Sequence, residues 1–231
     1  MKPNIHWFIH RLSSCLDRKR ACLESSGRVK QAMAYTLIAS ERSPFARIVR
    51  MLMARHGIPF EFRILNFVDD AVAAAELAKE TPINKVPILI DGSQKIFDSR
   101  VIVNHLTNKH GLPTLTLDEE NIVSIVYGCM DTSVILFLMK RNGYDLAADN
   151  GFLKRNLARI PTSLEYLTLW ASSLDPRKES DWNYASMSLY SYLQWAEVRT
   201  DLISVKDYPA LHAFMEKFAD APGVKETAMP V

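Results

Sequence analysis

Two hydrophobic rhythms divide this chain. The first half mixes short apolar runs with amphipathic stretches, and the second half keeps to helical spacing. Residues 34–39 form a short apolar run bounded by polar residues, the pattern of a buried strand. Ser43-Pro44 then reads as a helix start. Serine caps well, and proline suits the first turn because its absent N–H would have no partner there. Ile48, Val49, Leu52 and Met53 recur at helical spacing, the helix ends at Gly57, and Pro59 reinforces the break. Phe60-Glu61-Phe62-Arg63-Ile64 alternates as a second strand, and a strand–helix–strand unit this short favours a parallel pair with a right-handed crossover. Residues 69–79 are alanine-rich and helix-forming. Val86 to Ile90, the Asp91-Gly92 turn and Lys95-Ile96-Phe97 predict a hairpin, after which Asp98 or Ser99 caps a helix to about His110. The order is βαβαββα.

Residues 111–116 read as a linker. From Asp118 the chain turns helical, with Ile122, Val126, Met130 and Val134 four apart on one face, and Arg141-Asn142-Gly143 ends that helix. A second helix is predicted over 151–173, where Pro161 is expected to start a new segment or to kink it. Asn183 opens a nearly all-round apolar helix through Trp195, a pattern that implies burial. Tyr208-Pro209 opens the last helix, with Leu211, Phe214, Met215 and Phe218 inward. The expected organisation is a mixed α/β domain over 33–110 and an all-α domain over 117–231. No apolar run approaches the roughly 18 residues of a membrane helix, so no membrane partner is expected.

Composition changes the picture mainly at the N-terminus. Of 231 residues, 48% are apolar and 23% charged, as in ordinary globular proteins. The net charge of +2 is uneven: residues 1–32 carry +5, which leaves −3 on the rest. A mildly acidic body argues against nucleic acid as a partner. Residues 1–32 lack the apolar core of a secretory signal. Their Arg-containing, acid-poor make-up fits an organelle transit peptide, but the reading adopted is a disordered extension or misassigned start, with Met33 as the working start. Cys15, Cys22 and Cys129 are too few and too scattered for a disulfide framework or a zinc site, and a reducing cytoplasm is the expected location. The six histidines are dispersed without metal-ligand spacing, so no metal is expected.

Three motifs carry the chemistry: Ser43-Pro44-Phe45-Ala46-Arg47, Asn84-Lys85-Val86-Pro87-Ile88-Leu89-Ile90, and Asp98-Ser99-Arg100. In this order they resemble the thiol-binding face of the glutathione S-transferase family, serine type, and the resemblance extends over about 34–231. It implies a thioredoxin-like N-terminal domain followed by an all-α C-terminal domain, with glutathione as co-substrate. It further implies that Ser43 is catalytic. A thiol of pKa about 8.5 is only a few per cent thiolate at neutral pH, and a hydroxyl donor at a helix N-terminus favours the anion. Ser40 and Tyr35 are rival hydroxyls, and Ser43 can equally be a plain helix cap. Phe45, Lys85, Val86, Pro87, Asp98 and Ser99 are implied to bind the tripeptide. In that scheme Val86 offers backbone beside a cis Pro87, Lys85 approaches the glycine carboxylate, and Asp98-Ser99 takes the γ-glutamyl end. Lys85 reads as readily as a solvated surface lysine, and Asp98-Ser99 as a capping pair. Asn84 stands where the family usually has glycine, and asparagine tolerates left-handed backbone angles. Arg47 reads as structural, paired with an acid near the helix.

The family's acceptor site implies Tyr127, Met130, Asp131 and Val134 as candidates, each of which also reads as helix packing. Three functions follow: a transferase joining the thiol to a small apolar electrophile, a glutathione-dependent peroxidase, dehalogenase or reductase on the same site, or a non-catalytic partner-binding protein. A homodimer is implied by the resemblance alone.

Overall fold

The computed structural model describes residues 35–199 and 201–230. The expected extension 1–32, the start at Met33, Cys15 and Cys22 lie outside them. Four strands form one sheet: β1 (Tyr35–Ala39), β2 (Phe60–Ile64), β3 (Ile88–Asp91) and β4 (Gln94–Phe97). Its order is β2-β1-β3-β4, with β1 parallel to β2 and the other two pairings antiparallel. Three helices accompany it: α1 (Pro44–Arg55), α2 (Ala71–Glu80) and α3 (Ser99–His110). Four more complete the chain: α4 (Leu117–Arg141), α5 (Gly151–Ser172), α6 (Tyr184–Arg199) and α7 (Pro209–Lys217). This is a thioredoxin-like mixed sheet followed by a helical region.

The two-residue period of the strands sorts the sheet's side chains to opposite faces. Tyr35, Leu37 and Leu89 join the core formed with α1 and α3. Ile38 and Ile88 pack on the other face with Leu65 and Leu77 of α2. Consequently α1, which carries Ser43 at its start, is held between the sheet and the helical region. It packs along α6, and the Ser191 hydroxyl donates to the Pro44 carbonyl at 2.8 Å.

Several boundaries and roles differ from the sequence reading. Helix α4 starts one residue earlier than expected, on a reciprocal cap between Thr116 and Glu119. It is also long and apolar enough to cross a membrane, contrary to the expectation above, yet half of that stretch is buried. Packing against α5 and α6 explains apolar positions on more than one face. Helix α5 runs unbroken through Pro161, whose side chain is exposed, so the carbonyl it leaves unbonded can turn to water. Asn183 caps α6 by accepting from the Ala185 N–H at 2.9 Å, and its own N–H donates to Ser186 Oγ at 2.8 Å. Arg47 pairs with no acid among the described residues: fully buried, it donates to the Val224 carbonyl at 3.2 Å and to Thr227 Oγ1 at 3.3 Å. The first turn of α1 contains no acidic residue, so the turn over 224–227 supplies the acceptors.

Candidate functional site

A cavity of about 610 Å³ opens between the sheet unit and helices α4 and α6. All three motifs line it. Ser43, Pro44 and Phe45 come from the β1–α1 turn, Asn84 to Pro87 from the loop before β3, and Asp98 with Ser99 from the start of α3. A second cavity of about 510 Å³ lies by the C-terminal end of α1 and the α3–α4 linker, and it holds none of the motif residues.

Ser43 is the N-cap of α1, and its Oγ accepts from the Ala46 N–H at 3.2 Å. A hydroxyl has one proton and two lone pairs. The cap uses a lone pair, and no acceptor for the proton is found among the described residues, so it remains for a ligand. The rival hydroxyls are committed. Ser40 Oγ donates to Asn66 Oδ1 at 2.8 Å, and Tyr35, buried in the strand, bonds His110 at 2.8 Å away from the cavity.

The Val86–Pro87 peptide is cis, and Asn84 before it has φ +50°. Asp98 has φ +76° and ψ 131°, an unfavourable conformation for any side chain other than hydrogen, and its carboxylate accepts from the Arg100 N–H at 2.9 Å. Such strain persists where the surroundings hold it, often at ligand sites.

Proteins of known character are similar to this chain. A family model described as glutathione S-transferase, N-terminal domain, matches residues 37–119. The chain is 22% identical to glutathione S-transferase P 1 of Xenopus laevis over 78% of this chain and 85% of the relative. It is 33% identical to glutathione S-transferase theta-1 of Homo sapiens, over 29% of this chain and 28% of that one. Among solved structures, a glutathione S-transferase from Methylobacillus flagellatus with glutathione bound is similar, with TM-score 0.71 and 21% identity, covering 86% of this chain and 100% of that one. A glutathione transferase family member from Pseudomonas fluorescens Pf-5, also with glutathione bound, has TM-score 0.67 and 25% identity, with 86% and 100% covered.

Residues 37–119 therefore carry a glutathione S-transferase N-terminal domain.

Ser99 is nearly fully buried, and its hydroxyl lies 2.8 Å from that of Tyr127. The Tyr184 hydroxyl donates to Tyr127 at 2.8 Å. Either hydroxyl can donate in the Ser99–Tyr127 bond, and when Tyr127 donates, the Ser99 proton is available to the cavity. Burial pushes the Tyr127 phenol up to about 12 and raises Tyr184 as well, so both stay neutral donors. Sequence reasoning missed this relay, since no spacing links Ser99 to Tyr127 and Tyr184.

The acceptor candidates separate. Asp131 and Val134 line the cavity; Tyr127 does so too, but its hydroxyl is engaged with Ser99. Met130 does not line it: at 0% exposure it sits in the core with Ile122 and Val126. The face that meets the cavity lies one position further round α4 and continues from Asp131 through Ile135 and Leu138 to Arg141. Helical spacing from Asp131 would have found these. Arg42, Phe67, Trp195 and Arg199 also line the cavity and had no sequence signal. Lys85 is exposed at the rim, as a solvated lysine would be, and also faces the cavity. Desolvation on the concave wall raises the Asp131 pKa, partly offset by the charge of Lys85.

Proposed function

We propose that this chain binds glutathione in the 610 Å³ cavity and holds its thiol as the thiolate for attack on a small, largely apolar electrophile. One observation carries the reading: the Ser43 hydroxyl, with its proton uncommitted, caps α1 in the same cavity as cis Val86–Pro87 and Asp98-Ser99. Two solved relatives of this fold have glutathione bound. In this scheme the Val86 backbone and Lys85 receive the cysteinyl-glycine half, and Asp98 with Ser99 receives the γ-glutamyl end. The thiol proton leaves to solvent. The Ser43 O–H then donates to the sulfur, and the N-terminal end of the α1 dipole adds to that stabilisation. A drop of about two units in thiol pKa raises the thiolate fraction more than tenfold at neutral pH. Phe45 packs edge-on to Tyr127, ring centroids 5.7 Å apart, and supports the floor beneath the sulfur. We further propose a cytoplasmic homodimer, which sedimentation of the purified chain tests directly.

The deciding experiment is calorimetric titration with glutathione, paired with turnover of an activated aryl halide. Wild type should bind. Ser43→Ala should bind within a few-fold and lose about 10² in rate, the usual scale for removing one donor to a developing anion. Absence of glutathione binding by the wild type, or undiminished turnover in the variant, would overturn the proposal.

A further inference from the structure

The cavity has two electrically distinct ends. At one, the charges of Lys85 and Asp98 act on Asp131. At the other, Arg42, Arg141 and Arg199 meet Phe137, Leu138 and Trp195. Asp131 and Arg141 are ten residues apart on α4, which separates the ends by roughly 15 Å at the usual helical rise.

The arginine end is short of negative charge. Its one carboxylate lining the cavity is Asp69, and Asp69 is ion-paired with Arg141. Arg42 has no ion pair among the described residues. Arg199 donates one N–H to the Pro230 carbonyl, while its Nε is buried without a partner among the described residues. Burial, and then the nearby charge of Arg42, hold the Arg199 pKa below its ordinary value. Two guanidiniums that repel each other across a cavity with aromatic walls are complementary to a carboxylate on an apolar body. A carboxylate accepts from both, relieves the repulsion and matches the planar fork of arginine. The apolar wall is uncovered, with Ile135 54% and Val68 52% exposed.

We propose that this end selects the electrophile: Arg42 and Arg199 bind a carboxylate on the acceptor substrate, and Phe137, Leu138 and Trp195 hold its apolar body, so that the preferred acceptors are electrophilic acids. The inference deepens the transferase reading and rests on it only for turnover. With para-chloro-meta-nitrobenzoate as probe, the thiolate attacks the chlorine-bearing carbon, the C–S bond forms, the C–Cl bond breaks, and chloride leaves with the electron pair.

The test compares that acid with its methyl ester, each rate divided by its uncatalysed rate with glutathione. The acid should be favoured by about tenfold or more in kcat/KM, as expected for charge-assisted hydrogen bonds. Arg42→Gln and Arg199→Gln should each bring the acid-to-ester ratio toward one, and glutathione titration of each variant separates this from any effect on the tripeptide, whose sulfur end at Ser43 adjoins Arg42. Arg199→Gln also releases the Pro230 contact, whereas Arg42 lies in an exposed turn, so its variant reads the charge alone. An ester-preferring wild type, or an unchanged ratio in Arg42→Gln, would overturn the inference. Binding of unreactive para-methyl-meta-nitrobenzoate gives a readout independent of turnover. Binding that weakens in both variants supports the arginine end even if glutathione fails to bind, and no binding of the acid defeats it even if glutathione binds.

Discussion

Ser43 has two functions on one oxygen: it accepts a backbone N–H to start α1 and offers its proton to the cavity. Substitutions can separate them. Ser43→Ala removes both and should lower stability by about 1 kcal/mol through the lost cap. Ser43→Asp keeps a good cap but presents only acceptor atoms to a thiolate. It should match wild type in urea unfolding yet lose at least as much turnover as the alanine variant; wild-type turnover in Ser43→Asp would reduce Ser43 to a cap. Asp131 gives a second prediction. Burial raises its folded-state pKa above the unfolded value, so the ionised form is the disfavoured one. The folded protein carries that penalty above the raised pKa, and it vanishes once both states are protonated. Asp131→Asn should therefore raise Tm at neutral pH, by no more than about 2 °C because the group is partly solvent-screened. The gain should fade as pH drops through and below the ordinary carboxylate range near 4. A gain that persists in acid would show that charge is not its cause. The sequence made Ser43 visible by its motif and Asp131 by the family resemblance. It could not show which hydroxyl keeps a free proton, because that depends on Asn66 and His110 arriving from distant segments.

Helices were the most legible elements. Strand β2 and helix α3 occupy the expected residues because alternation, caps and the Gly111 terminator all agree. Helix α4 was legible as a helix but not in its rotation. The four-residue stripe through Met130 is its core face, and the neighbouring stripe through Asp131 is its cavity face. Periodicity gives a stripe but not which neighbour covers it. Pro161 starts no new segment, because tertiary packing of Ile160, Leu164 and Leu167 outweighs one lost hydrogen bond on the exposed side. Pro161→Ala restores an N–H for the Leu157 carbonyl. It should stabilise by about 1–2 kcal/mol, the interior-proline cost less the entropy proline removes from the unfolded chain. Denaturant titration checks this, and a loss of stability would mean that the packing of α5 needs a bend at this point. Between elements, the Tyr184–Tyr127–Ser99 relay connects α6, α4 and α3. Tyr184→Phe should weaken glutathione binding about three- to tenfold, the worth of one hydrogen bond, without changing the charge of the site. Unaltered affinity would leave the relay a purely structural bond.

For the whole molecule, the site depends on how firmly α1 is clamped from behind. The chain's last described segment supplies that clamp, some 180 residues away in sequence, which is why no local pattern announced it. Arg47 reaches from α1 to Val224 and Thr227, and its guanidinium also sits 5.5 Å from the Tyr190 ring centroid on α6. Burial without an acid lowers its pKa to about 10, so this cation is costly to hold there and is retained through its hydrogen bonds. Trp182 Nε1 donates to the Pro222 carbonyl at 3.0 Å, fixing the other end of the same segment. Gly223 lies between these two ties. Its φ is +87°, and a Cβ there would stand 2.9 Å from the Met51 carbonyl oxygen, backbone that cannot rotate away. Gly223→Ala combines a left-handed alanine, which costs about 1–2 kcal/mol, with a steric push on the middle of α1. We expect a loss of about 2–4 kcal/mol in denaturant unfolding, beyond the ordinary effect of one substitution. Because α1 presents Ser43, residual folded protein should also turn over more slowly while retaining near-normal glutathione affinity, since Val86, Asp98 and Ser99 stand on other elements. Hydrogen exchange would then speed up first in residues 222–229 and along the α1 face that meets them. Exchange that accelerates uniformly, with turnover per folded molecule unchanged, would show that the C-terminal segment stabilises the fold without positioning the serine.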